Sequence, residues 1–412
     1  MEKNRLVHNT AMLYIMNIAK LIFPLLTLPY LTRVLSVEKY AVVTYVKAVM
    51  TYAQLVIEFG FILSATKDIV MANNDKTQIG YITGDVMLGK GMLAAGSLTV
   101  VALMTFMMPM LRQNGLFVFL SFAAVALTVF FVDFLFRGLE KMQVMTIRYL
   151  ITRSITTALT YILIKNDTHL LLIPVLDIIG NIVAAVWVWS EIRKLEIKVR
   201  IQSIKSAMVK IRESFVYFLS SMATTAFGAL NTLFVGGLCG ASDVAFWGLT
   251  MQLVNAVQAM YTPVTNGIYP HMIREKNLKV IKTTLVVFMP IIVAGCLVIF
   301  FGADTILLLV GGQKYAAAAP LFKWFIPLLF ISFPAMLFGW PVLGAIGKTK
   351  ENTKTTVITA IAQVCGLFVL IGLNRFTVEN LAILRASTEL LMCGMRMGYC
   401  YKYRSLFTSR YL

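Results

Sequence analysis

Two lysines lie in apolar stretches of the sequence, where a charge is costly. Lys20 and Lys47 are each two to three helical turns from the nearest end of their stretch. A charged side chain near the centre of a bilayer costs several kcal/mol or more, so it usually faces a water-filled cavity or a partner. Ammonium groups bind phosphate and pyrophosphate as point charges. The pattern therefore predicts a cavity that accepts an anionic ligand.

Further polar side chains inside apolar stretches complete a candidate site. Arginines add positive charge, and asparagines can hydrogen-bond the hydroxyl groups of a ligand. The predicted substrate-binding residues are Lys20, Arg33, Lys47, Arg153, Asn231, Asn255 and Arg385. The candidates for ion coupling are Glu58, Asp85 and Asp133.

Structural roles also explain some of these residues. Stripes of Ser, Thr and Gly in membrane helices are usually packing seams. Arg385 can pair with Glu389 four residues later, and Arg153 can extend its charged group to the membrane surface. Lys20 and Lys47 are harder to explain in this way. Two prolines that would bend the first helix, Pro24 and Pro29, follow Lys20.

No catalytic or metal-binding pattern is visible. The five cysteines lack CxxC spacing and the three histidines lie far apart, so we expect no metal site and no cofactor. The phosphate-binding GxxxxGK[ST] motif and the GxSxG motif are both absent, and no loop is long enough for a soluble catalytic domain. The sequence predicts a protein that is not an enzyme.

The composition is that of an integral membrane protein. Of 412 residues, 59% are hydrophobic and 14% charged, whereas soluble domains are about 25% charged. The net charge of +18 is spread over short segments between apolar runs, which argues against a nucleic-acid partner. Twelve candidate spans lie at residues 10–33, 40–64, 81–108, 116–136, 144–164, 170–190, 214–238, 244–270, 280–302, 318–344, 355–373 and 378–398.

The basic residues predict the orientation. With the N-terminus in the cytoplasm, 25 Lys and Arg fall on the cytoplasmic side and seven on the other. The positive-inside rule then places both termini in the cytoplasm. Residues 191–213 form a basic cytoplasmic connector, predicted as an amphipathic surface helix, between two six-helix lobes at residues 1–190 and 214–400. Residues 401–412 form a cytoplasmic tail.

Four segments resemble a known family. LIFPLLTLPYLTRVLSVEKY resembles the first-helix signature of Wzx-type oligosaccharide flippases, the polysaccharide transporter family, with Ser36 in place of the usual Gly. FGFILSATKDI resembles the end of the family's second helix. VDFLFRGLEKM resembles its fourth-helix pattern, with Phe134 for Trp and Arg137 for Gln. GADTILLLVGGQKYAAAAPLFKWFIP resembles the segment that opens its tenth helix.

The resemblance implies an all-α integral membrane fold of the multidrug/oligosaccharidyl-lipid/polysaccharide exporter superfamily. Twelve transmembrane helices would form two six-helix lobes, in a V around a central cationic cavity. The implied function is to flip polyprenyl-pyrophosphate-linked oligosaccharide from the cytoplasmic to the outer leaflet of the bacterial inner membrane, for O-antigen or capsule assembly. Implied partners are this lipid-linked oligosaccharide, membrane lipids, a polysaccharide polymerase and a chain-length regulator.

Three alternatives stay open at this point. A multidrug exporter or a lipid-linked precursor flippase would share the fold. A membrane glycosyltransferase or polymerase belongs to a different class, although such polymerases usually have a large external loop that this chain lacks.

Overall fold

The chain is almost entirely helical. A computed structural model describes the backbone of residues 2–407 and their side chains except at 2–7, 10, 220, 223, 224, 226, 227 and 270. Within 2–407 no β-strand occurs, which confirms the all-α prediction. The predicted tail, residues 401–412, lies outside the described residues beyond Phe407. The chain divides into two compact units, Met1–Thr225 and Ala226–Leu412.

The first unit contains ten α-helices. They are α1 (Glu2–Val34), α2 (Val37–Glu58), α3 (Phe61–Met71), α4 (Lys76–Met107), α5 (Pro109–Gln113), α6 (Gly115–Ala126), α7 (Asp133–Gly138), α8 (Met142–Leu163), α9 (Leu172–Lys194) and α10 (Ile204–Thr225). A short 3₁₀ turn, Leu127–Phe130, precedes α7. Local chemistry sets several boundaries: Asp75 begins α4 by accepting hydrogen bonds from the amides of Thr77 and Gln78.

The second unit contains seven α-helices. They are α11 (Asn231–Leu238), α12 (Ala241–Glu275), α13 (Leu278–Gly311), α14 (Ala319–Trp324), α15 (Ile326–Leu337), α16 (Thr349–Gly372) and α17 (Val378–Lys402). Two π-helical segments, Ala226–Leu230 and Phe338–Gly344, precede α11 and follow α15. Its apolar core is formed by the last part of α15 and the segment after it, with Met272 of α12 and Ile281 of α13.

Eight helical segments of the described chain are long and apolar enough to cross a membrane. They are Ala11–Val34, Val37–Met71, Lys76–Met107, Gly115–Gly138, Asp167–Lys194, Leu278–Gly311, Ile326–Gly344 and Thr349–Gly372. The other four predicted spans lie on α8, on α10 with α11, on α12 and on α17, which are long enough but more polar. The protein is a multi-pass membrane protein, and the count of twelve stays a prediction.

The connector differs from its prediction. Residues 191–194 of the predicted connector end α9 and residues 204–213 begin α10, so only residues 195–203 contradict the helix prediction. This segment lies against α4, where the amide of Arg200 donates to the carbonyl oxygen of Gly80 at 3.2 Å. Side chains at Gly80 and Gly84 would overlap with the carbonyl oxygens of Lys198 and Arg200. The conformation of this connector segment therefore depends on backbone contact with α4, which the periodicity of side chains in the sequence cannot predict.

The second half of α10 packs on the break between α2 and α3. Phe59 and Gly60 both have left-handed backbone conformations, and Phe59 stacks on Phe218 with ring centroids 4.4 Å apart. A Cβ atom on Gly60 would lie 2.6 Å from the Cβ atom of Tyr217. Glycine is therefore required at position 60 by both its backbone conformation and its neighbour.

The close approach on α4 gives a prediction for stability. Gly84→Ala should lower the thermal unfolding midpoint of the detergent-purified protein, since the connector backbone must move to admit one methyl group. The destabilisation should be on the order of 1–3 kcal/mol, as for overpacked cores. The matched control is Gly91→Ala on the same helix, where a Cβ atom meets nothing within 4 Å. Equal midpoints for the two variants would contradict the connector packing.

Candidate functional site

Lys20 lies in the middle of α1 with an exposed side chain. Its ammonium nitrogen is 5.8 Å from the centre of the Tyr149 ring on α8. The described part of the chain places no carboxylate within salt-bridge distance of it. Pro24, one turn later, lacks the amide that would bond to the carbonyl oxygen of Lys20 in an unbroken helix. The two prolines remove hydrogen bonds but do not end α1, which continues to Val34.

A charged pair lies near Lys20. The guanidinium of Arg148 on α8 is 2.7 Å from the carboxylate of Asp133, the first residue of α7. Arg148 also stacks over the ring of Phe131, 4.3 Å from its centre. Both charges lie within electrostatic range of the Lys20 ammonium group. Asp133, a predicted ion-coupling residue, is therefore engaged by a cation that the sequence analysis had not included in the site.

A second group of charges surrounds Lys47 of α2. Arg153 on α8 and Asp177 on α9 are 3.5 Å apart, and their side chains are 46% and 40% exposed. Lys47 is itself exposed, interacts electrostatically with both, and has no salt-bridge partner among the described residues. Charges in membrane spans normally face water or a partner rather than lipid. The exposure of these three charged groups therefore favours a water-lined surface.

Helix α8 connects the charges near Lys20 with those near Lys47, because it packs against both α1 and α9. Tyr149 and Arg153 are one helical turn apart, with the guanidinium carbon of Arg153 5.9 Å from the Tyr149 ring centre. We name the four cations of this region, Lys20, Lys47, Arg148 and Arg153, the cation cluster. Among the described residues, the carboxylates that pair with it are Asp133 and Asp177. The cluster keeps a net positive charge and can bind an anion.

Three other predicted residues are not part of the cluster. Arg33 is in the last turn of α1, about 20 Å along the helix axis from Lys20 at 1.5 Å per residue. Glu58 pairs at 2.9 Å with Lys90, which is 1% exposed. Asp85 accepts hydrogen bonds from the Gln202 amide at 2.8 Å and from the Ser206 hydroxyl, so it holds the connector on α4.

The predicted residues of the second unit have different surroundings. Asn231 is buried and accepts a hydrogen bond from Gln363 at 3.1 Å. Arg385 is also buried, 3.5 Å from Glu389 on the next turn of α17. Asn255 of α12 is exposed. Burial favours a packing role for Asn231 and Arg385, and a role in substrate binding stays a prediction for all three.

Sequence reasoning omitted Arg148 and gave Tyr149 no role. Arg148 lies near the start of the predicted span 144–164. A usable signal existed: Arg148, Tyr149 and Arg153 lie within about one and a half turns of the same predicted span. The described residues contain no group of three or more His, Cys, Asp or Glu side chains placed to bind a metal.

Solved structures with the same fold include two transporters. The chain aligns with a structure described as the inward-closed conformation of the Lipid II flippase MurJ, with a TM-score of 0.70, 13% identity, and coverage of 96% of this chain and 87% of that one. An inward-facing multidrug resistance MATE family transporter of the MOP superfamily aligns with a TM-score of 0.68 and 12% identity, over 93% and 94% of the chains. These likenesses confirm the predicted superfamily fold.

Similarity in sequence leads to the family. A protein of Escherichia coli K12 named "Putative O-antigen transporter" is 24% identical over 405 residues, 97% of each chain. A protein of the same name from Shigella dysenteriae is 25% identical over 372 residues, 88% of this chain and 92% of its own length. The model of the family described as "Polysaccharide biosynthesis protein" matches residues 6–276, more than half of the chain. The chain belongs to this polysaccharide biosynthesis protein family, as its sequence motifs predicted.

Proposed function

We propose that the protein is a flippase for polyprenyl-pyrophosphate-linked oligosaccharide. It would move these repeat units from the cytoplasmic to the outer leaflet of the bacterial inner membrane, for O-antigen or capsule-type polysaccharide assembly. The names of the two relatives and the fold shared with a lipid II flippase support this proposal. The single observation that carries it is the cation cluster, in which Lys20 and Lys47 have no salt-bridge partner within the described chain.

The chemistry of a pyrophosphate fits this cluster. Its negative charges would be matched by two ammonium groups and two guanidinium groups on α1, α2 and α8. Lysine contributes a compact point charge, and arginine a planar set of donors suited to phosphate oxygens. A cationic drug would meet electrostatic repulsion from the same four side chains. The surplus of cations over carboxylates therefore disfavours the multidrug exporter as an alternative.

The mechanism we propose is alternating access. The lobes at residues 1–190 and 214–400 would rock about a central cavity, with both termini in the cytoplasm, while the lipid tail of the substrate stays in the bilayer. The oligosaccharide would be passed on to a polysaccharide polymerase and a chain-length regulator. Of the candidate ion-coupling residues, Asp133 is best placed, because its carboxylate contacts a cation of the cluster.

Removing one unpaired charge tests the binding site. Lys20→Ala should lower surface glycan by at least about tenfold in cells that lack the native gene, since a desolvated charge contact with phosphate contributes more than 1.4 kcal/mol. Lys20→Arg keeps the charge and should retain most display. Lys39→Ala, at the start of α2 outside the cluster, is the matched control. Normal display by Lys20→Ala at normal protein level would count against the proposal.

The Asp133–Arg148 pair gives a test of coupling. Asp133→Asn should make translocation insensitive to a proton gradient, because an amide imitates the protonated carboxyl and leaves Arg148 without its anionic partner. The measurement is flipping of a fluorescent polyprenyl-pyrophosphate-linked saccharide in proteoliposomes, with and without the gradient. Glu191→Gln removes a half-buried carboxylate that pairs with Lys194 outside the cluster, and it should leave the gradient response intact. A wild-type response in Asp133→Asn would exclude this route.

A further inference from the structure

Tyr149 is shared by two cations of the cluster. Its ring centre lies 5.8 Å from the Lys20 ammonium nitrogen and 5.9 Å from the Arg153 guanidinium carbon. The cations come from different helices, α1 and α8, so the ring is the contact that joins them. Phe23 of α1 packs its edge against the same ring, with centroids 6.5 Å apart and an interplanar angle of 66°. The orientation of Tyr149 is thus fixed by the helix that carries Lys20.

The partner of Lys20 differs in kind from the salt-bridge partners of Lys90 and Arg148. Lys90 contacts Glu58 at 2.9 Å, and Arg148 contacts Asp133 at 2.7 Å. A carboxylate partner neutralises a cation, and an incoming anion must displace it. An aromatic ring attracts a cation through its quadrupole but carries no net charge. Lys20 is therefore held in place with its positive charge available.

We infer that Tyr149 is a positioning residue for the anionic group of the substrate, an inference that rests on the proposed function. In the empty site the ring holds Lys20 and Arg153 near each other and offsets part of their repulsion. Arg153 is also restrained by Asp177, at the longer distance of 3.5 Å. When a pyrophosphate arrives, the two cations exchange the weak contact with the ring for a strong contact with phosphate oxygens.

Three substitutions of Tyr149 distinguish the effect of its ring on binding from the effects of its hydroxyl group and of an added negative charge. Tyr149→Phe keeps the ring, Tyr149→Leu removes it, and Tyr149→Glu places a carboxylate beside both cations. The probe is farnesyl pyrophosphate, titrated by calorimetry into the purified full-length protein. We expect the Kd of Tyr149→Phe to stay within about twofold of wild type, and that of Tyr149→Leu to rise about tenfold. In Tyr149→Glu, only weak residual binding should remain, because the new carboxylate offsets part of the positive charge of the two cations.

Salt dependence distinguishes positioning from a purely structural role. Binding by wild type and Tyr149→Phe should weaken steeply as ionic strength rises, and residual binding by Tyr149→Glu should respond much less. Tyr14→Leu is the matched control, since Tyr14 is an exposed aromatic residue of α1 with no cation over its ring in the described chain. It should bind as wild type does. If Tyr149→Leu does not fold, the comparison of the Phe and Glu variants still decides.

The possible failures are distinguishable. Wild-type affinity in Tyr149→Leu or Tyr149→Glu would overturn the role of Tyr149, and so would a Phe variant as weak as the Leu variant, since the hydroxyl would then be decisive. Wild-type affinity in both Lys20→Ala and Arg153→Ala would instead contradict the proposed binding site itself. Weakened binding in Lys20→Ala and Arg153→Ala, together with the expected affinities of the three Tyr149 variants, supports both the binding site and the positioning role of Tyr149.

Discussion

A charge inside the hydrocarbon layer must be paired or hydrated, and this constraint organises the first unit. Lys90 is fully buried and has a carboxylate partner in Glu58. Arg148 is largely buried and is paired with Asp133. Lys20 and Lys47, which have no salt bridge among the described residues, are exposed, and the exposed Arg153 has only a longer contact with Asp177 at 3.5 Å. The two buried cations thus have short contacts with carboxylates, and the charges that remain unneutralised are ones that solvent or a ligand can reach.

One of the buried charges shapes the site without belonging to it. The helical backbone is broken between α6 and α7. Within this break, Lys90 donates a hydrogen bond to the carbonyl oxygen of Phe131 at 3.0 Å. The break makes Asp133 the first residue of α7 and brings it to Arg148. Broken membrane helices commonly accompany binding sites in transporters, because freed backbone groups need polar surroundings. The Lys90–Glu58 pair thus stabilises the backbone that positions the cluster.

The second unit uses a charge to stabilise another irregular helix. After α15 the backbone leaves helical geometry at Gly339, between Pro334 and Pro341. Arg396 of α17 donates to the carbonyl oxygen of Ala335 at 2.6 Å and to the hydroxyl groups of two threonines on α16. A Cβ atom on Gly339 would lie 2.9 Å from this guanidinium. A buried arginine here replaces backbone hydrogen bonds, a structural use that differs from the exposed cations near Lys20.

The sequence alone determined the membrane class, the all-α fold and the family, because apolar length and motif order are properties of local sequence. It also singled out Lys20 and Lys47 by the depth of their charges in the apolar stretches, and their role in binding stays a prediction. It did not determine which carboxylate pairs with which cation. Lys90 and Lys47 are both lysines inside spans, yet one contacts Glu58, 32 residues away, and the other has no such partner. Nor did it predict the extended connector on the glycine face of α4. Both outcomes depend on how helices rotate and pack against distant neighbours, and side-chain periodicity does not contain that information.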